Sequence, residues 1–122
     1  MKITALDHVQ RAMPDTADAP ARARRFHGRL LGLSEVQKPA ALAGRGGLWF
    51  ETGALRLHLG VETPFRPMRK AHPGLQVDDL DRAGCHLDDH GVKVTPDCDL
   101  PGSWRVHVFD PFGNRIELLQ RH

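Results

Sequence analysis

The chain has 122 residues and a formal charge of +2, from 17 Lys and Arg against 15 Asp and Glu; that length suits one compact domain and excludes two independent cores. Aromatics make up 6%, with no Tyr, and the basic residues are dispersed apart from "RARR" at 22–25, which argues against nucleic acid, whose binders interleave a basic face with aromatics. No apolar run approaches the roughly 18 residues of a membrane span or the roughly 7–15 of a leader, and Cys85 and Cys98 have no CxxC spacing, so the expectation is a cytoplasmic protein with reduced thiols.

In chain order, "KITALDHVQRAM" alternates as a strand, with Leu6, His8 and Gln10 on one face. "PDTADAPARARRFHGRLLG" carries helix punctuation: Asp15, Thr16 and Asp18 as capping candidates, Pro20 in the first turn and Gly32 as the stop. Ala19, Ala23, Phe26 and Leu30 form its apolar stripe, and the arginines 22, 25 and 29 its wet face. "LSEVQKP" predicts a short strand ending at Pro39, and "GLWFE" and "LRLHLGV" a hairpin turning at "TGA". Residues 1–61 therefore read β-α-β-β-β. "GRGG" at 44–47 is a turn and not a phosphate loop, because a strand and no helix follows it.

The segment 62–71, with two prolines in "ETPFRPMRK", reads as a connecting loop. "HPGLQVD" predicts a strand and "DLDRAGCHLDDHG" a short helix with Leu80, Ala83 and Leu87 aligned and Gly91 as its stop. "VKVTPDCDL", "SWRVHVFD" and "NRIELLQ" follow as strands, the last two joined by "DPFGN", where Gly113 supplies the positive φ of the turn. Residues 72–120 repeat the β-α-β-β-β order, so the fold expected is α+β, two βαβββ modules forming a cup-shaped mixed sheet with flanking helices.

The repeat gives the polar residues a register. His8 lies in the opening strand of the first copy and His58 in its closing strand; His72 begins the opening strand of the second copy and Glu117 lies in its closing strand. A strand histidine alone is more often a satisfied polar residue than a ligand, and Glu117 has Arg115 and Arg121 nearby as ordinary ion-pair partners. Four such residues at matching places point instead to a metal site. Three imidazoles and a carboxylate suit Zn, Ni, Co, Mn or Fe(II) and leave open positions, as a catalytic site requires.

The stretches "LDHVQ", "FHGRLLGL", "LRLHLG", "HPGLQVDDLD" and "FDPFGNRIELL", in this order, resemble the vicinal oxygen chelate superfamily of glyoxalase I, bleomycin-resistance proteins and extradiol dioxygenases, over essentially the whole chain. The resemblance implies a single domain over 1–122. It implies metal ligands at His8, His72 and Glu117, with a fourth at His58, where glyoxalase I usually has a carboxylate. It also implies a homodimer, with sites shared between chains or closed within one, and places His107 toward a cavity. By alternation Arg105, His107 and Phe109 share a face, as do Arg56 and His58, which makes Arg56, Arg105, His107 and Phe109 candidates for substrate binding; Trp49, Phe50 and Phe65 are candidate walls.

The function expected is that of a divalent-metal enzyme chelating a small oxygenated substrate for lyase or isomerase proton transfer, with Glu117 as the catalytic residue. Three alternatives share the fold: an Fe(II) extradiol-type dioxygenase built on His8, His72 and Glu117, an antibiotic thiol transferase, and a drug-binding resistance protein without chemistry.

Overall fold

A computed structural model describes all residues, 1–122. The chain divides into two compact units, Met1–Arg66 and Pro67–His122, each built on a four-stranded mixed sheet. No helix is long and apolar enough to cross a membrane.

In the first unit the elements are β1 (Val9–Pro14), α1 (Ala19–Ala23), β2 (Glu35–Val36), β3 (Leu48–Thr52) and β4 (Leu55–Glu62). The sheet order is β1-β4-β3-β2, with β1 and β4 parallel and the rest antiparallel. Alternation sorts the side chains: Met13, Leu48, Phe50, Leu57 and Leu59 are buried on the face that also receives Ala19, Ala23 and Phe26. Gln10, Trp49, Glu51, Arg56 and His58 lie on the opposite face by the same register.

The structure departs from four expectations here. The opening strand begins at Val9, so His8 only precedes it, and Ile3 and Leu6 are 84% and 79% exposed; the ladder stops at Val9↔Leu57, and Asp7 meets Arg56 through side chains at 3.0 Å. The helix is α-helical only to Ala23 and continues as a π-helix over Arg24–Leu30. Asp18 takes the N-cap position without capping, because its own backbone is already helical (φ −87°, ψ −13°) and its side chain makes no cap bond. Gly32, at φ +73°, follows the helix as expected of a stop. Residues 40–45, expected as a gap before "GLWFE", form a 3₁₀ helix.

The second unit comprises β5 (Gly74–Gln76), α2 (Leu80–Asp89), β6 (Thr95–Asp97), β7 (Ser103–Phe109) and β8 (Arg115–Arg121). Its order, β5-β8-β7-β6, repeats that of the first unit, again with one parallel pair. Asp79 caps α2 by accepting from the Arg82 amide at 2.9 Å, and Leu80 and Leu87 are its buried residues. Val106, Val108, Ile116 and Leu118 are buried on one face of the sheet; Arg105, His107, Phe109, Arg115 and Glu117 alternate onto the other. The strand expected to begin at His72 starts two residues later, at Gly74.

Candidate functional site

The register within each unit makes the internal repeat explicit. In the first unit, His58 pairs with Gln10 on β1 and with Trp49 on β3. In the second, Glu117 pairs with Gly74 on β5 and with His107 on β7. Glu117 thus occupies the place of His58, His107 that of Trp49, and Gly74 that of Gln10. His8 and His72 each stand two residues before the last of these positions.

In the second unit the "DPFGN" turn sets the geometry. Asp110, buried, accepts from the amides of Phe112 and Asn114 and from the Asn114 side chain, each at 2.9 Å. Asn114 Oδ1 in turn accepts from the Met68 amide, and the Arg115 amide donates back to the Met68 carbonyl. The Glu117 amide donates to the Pro73 carbonyl at 3.0 Å. These ties lay residues 68–73 along β8, which brings His72 beside Glu117.

His72 Nε2 lies 2.9 Å from Glu117 Oε2, while its Nδ1 donates to the Lys70 carbonyl at 2.8 Å. A carbonyl only accepts, so the neutral ring carries its proton on Nδ1 and turns a lone pair toward a carboxylate. Such a contact is satisfied by a shared cation: a proton, making His72 imidazolium, or a metal ion. His107 completes a group whose ligand atoms lie within 4.8 Å of one another. Metal-bound histidines commonly donate their second ring N–H to a carbonyl, as His72 does, so the donor set and orientation of His72 and Glu117 fit a divalent ion.

Arg105 ties the cluster to β6: one guanidinium nitrogen is 3.0 Å from Asp97 Oδ2 and the other 3.4 Å from Glu117 Oε2. Arg115 donates to His107 Nδ1 at 2.8 Å. Burial and the Arg115 charge hold the His107 imidazole below the usual histidine range, outweighing the opposing pull of Asp97 and Glu117. Phe109, on the same face, is 45% exposed.

In the first unit His8 and His58 meet as stacked rings with centroids 4.7 Å apart, and His58 stacks on Trp49 at 4.0 Å. His58 is 4% exposed. Burial lowers its pKa, and Glu51, whose Oε2 is 3.5 Å from Nε2, partly offsets that. Asp7 links His8 (2.9 Å) to Arg56 (3.0 Å), and both partners hold its carboxyl below the usual range. Arg56 also approaches Glu51 at 3.5 Å. Each expected pair of ligands therefore comes together inside its own unit, His8 with His58 and His72 with Glu117.

Neither the Arg115–His107 contact in the site nor the buried His27 in the core has a local sequence signal. In the sequence Arg115 stands two residues from Glu117 on one strand face, as an ordinary ion-pair partner, whereas its side chain reaches His107. His27, 0% exposed in the π-helix, donates from Nδ1 to the Ala23 carbonyl and accepts from Arg11 at 2.6 Å, and nothing in the apolar stripe announced it.

Two units of one strand order, each a four-stranded mixed sheet with flanking helix, define an α+β fold of repeated βαβββ modules. The chain belongs to the Glyoxalase/Bleomycin resistance protein/Dioxygenase superfamily, whose family model matches residues 5–118. A Bacillus anthracis protein of the glyoxalase family is similar to it at 39% identity and a TM-score of 0.93, over 100% of this chain and 98% of that one. The Listeria monocytogenes fosfomycin resistance protein FosX shares the fold at 14% identity, with a TM-score of 0.77 over 99% and 96% of the two chains. TnmS3, an antibiotic binding protein from Streptomyces sp. CB03234, does so at 23% identity and 0.75, over 100% and 99%. No curated protein matches the chain.

Proposed function

We propose that this chain is a divalent-metal-dependent enzyme acting on a small oxygenated substrate by proton transfer, with His72 and Glu117 as metal donors. The contact that carries the reading is His72 Nε2 to Glu117 Oε2 at 2.9 Å, two acceptors facing each other with Nδ1 already committed. Donors around an ion at about 2.0–2.2 Å sit about 3 Å apart, which that distance meets. The nitrogen and oxygen donors suit Zn, Ni, Co, Mn or Fe(II). Such an ion, when bound, polarises a substrate oxygen and stabilises the oxyanion that develops.

The chain's own residues do the rest. Glu117 is the group assigned to move a proton at the carbon beside that oxygen, and the Asp97–Arg105 pair holds its carboxylate in place. Neutral His107 supplies a hydrogen-bond donor on the same face. By the family resemblance His8 and His58 are further metal donors and the working form is a homodimer, checked by a sedimentation mass of two chains.

Metal analysis of the purified protein tests the reading. A stoichiometric divalent ion is expected, with affinity at least about tenfold weaker and activity lost in E117Q; equal metal content and turnover in E117Q overturn it. Metal affinity unchanged in the H8A/H58A double variant removes those two residues from the set.

A second reading, a drug-binding protein without chemistry, is favoured by one observation: Arg105 already partners Glu117, so the carboxylate has a counter-charge without an ion. The antibiotic-binding relative TnmS3 supports it. Tight antibiotic binding by metal-free protein, with no turnover on metal addition, would decide for it; Fe(II)-dependent oxygen uptake with a catechol would decide for a dioxygenase.

A further inference from the structure

We propose that Arg115, with His107, forms a binding site for a small oxyanion, so that the molecule this protein takes carries a carboxylate or phosphonate group. The charges on that face of the second unit show why. Asp97 and Glu117 both lie against Arg105, and Glu117 also faces His72. Arg115 is the cation left over: the side-chain hydrogen bonds it makes run to the His107 ring, at 2.8 and 3.3 Å from the two nitrogens, no carboxylate pairs with it, and its Nε is buried without a hydrogen-bond partner. A partly buried guanidinium without a counter-charge is costly, and its planar fork of N–H donors matches a carboxylate or phosphonate.

His107 cannot supply the missing negative charge, but it extends the site. Its Nδ1 accepts the shorter Arg115 bond, so the neutral ring carries its proton on Nε2. That N–H lies 3.8 Å from Glu117 Oε2, too far for a hydrogen bond, and is left to donate to a ligand. Phe109, opposite Arg115 across the strand pair and 45% exposed, offers an apolar wall beside these donors. The placement rests on the proposed function only in taking this face as the substrate face; anion binding itself requires no metal.

The test uses metal-free full-length protein at constant ionic strength, titrated calorimetrically with methylphosphonate and with acetate. Saturable binding of at least one probe at one site per chain is expected, weakened at least tenfold in R115M and unchanged in R121M. R115M should melt no lower than the parent, because it removes an unmatched charge. No saturable binding by the parent protein, or equal binding by R115M, overturns the proposal. The stronger probe identifies the anion. Anion binding by protein that takes up no metal would leave this inference standing while the metal reading fails, and metal uptake without anion binding would do the reverse.

Discussion

His58 shows what burial does to one side chain. Alternation in "ALRLHLG" puts it on the less apolar face of β4, and the structure stacks it between Trp49 and His8 at 4% exposure. Its imidazole is held below the ordinary value of 6.5, chiefly by burial, and so is that of His107. In the unfolded chain both rings take up a proton near pH 6.5 while the folded chain resists it, so unfolding binds protons. The contribution to stability is full above that pH and declines as pH falls through and below it. The urea midpoint should therefore be lower at pH 5.5 than at 7.5, and the drop smaller in H58Q than in the parent; equal drops in the two would remove His58 as a source. Arg115 makes the converse point: its position was legible, its partner was not, because which of two neighbours a strand arginine reaches depends on the rotamer that packing allows.

Among the elements, those defined by local backbone chemistry were the most legible. The "DPFGN" turn, with Gly113 at φ +90°, and the hairpin turn with Gly53 at φ +58° stand where Gly and Asn call for them. So do the stops at Gly32 and Gly91, both at positive φ. The start of β1 was not legible, because its pairing partners on β4 are remote in sequence, and nothing in the local pattern marks the passage from α-helix to π-helix. The turn also predicts a measurable loss. D110A removes the acceptor of three hydrogen bonds made by buried or nearly buried groups, and with each orphaned donor costing about 1–3 kcal/mol the denaturant midpoint should fall by the equivalent of roughly 3 kcal/mol or more. D110A should also weaken metal uptake, since the same turn holds residues 68–73 against β8. Gly47 is a stricter case: at φ +83°, a Cβ there would lie 2.0 Å from the Leu59 carbonyl oxygen, so G47A must displace backbone and should destabilise the β3–β4 pair.

At the scale of the whole molecule, the apolar positions of each copy build one core face per unit. Leu57 is 0% exposed at the centre of the first, and L57A should cost about 2–5 kcal/mol in chemical unfolding, a large share of the stability of a chain this size. Periodicity, turn residues and the repeat of β-α-β-β-β order were present in the sequence by itself, and with them the α+β class, the family and the pairing of His8 with His58 and of His72 with Glu117. The elements and their class follow from short-range rules: two-residue alternation, helical spacing, and the backbone freedom of glycine; the family rests on the resemblance carried by stretches such as "FDPFGNRIELL", and the two residue pairs on the register of the repeat. Only the tertiary structure decided which cations and anions on each sheet face match. Arg105 is committed to Asp97 and Glu117, His72 turns a lone pair to Glu117, and Arg115 is left with a neutral imidazole. The sum of charges on a face depends on cross-strand register and rotamer packing, which no local pattern encodes.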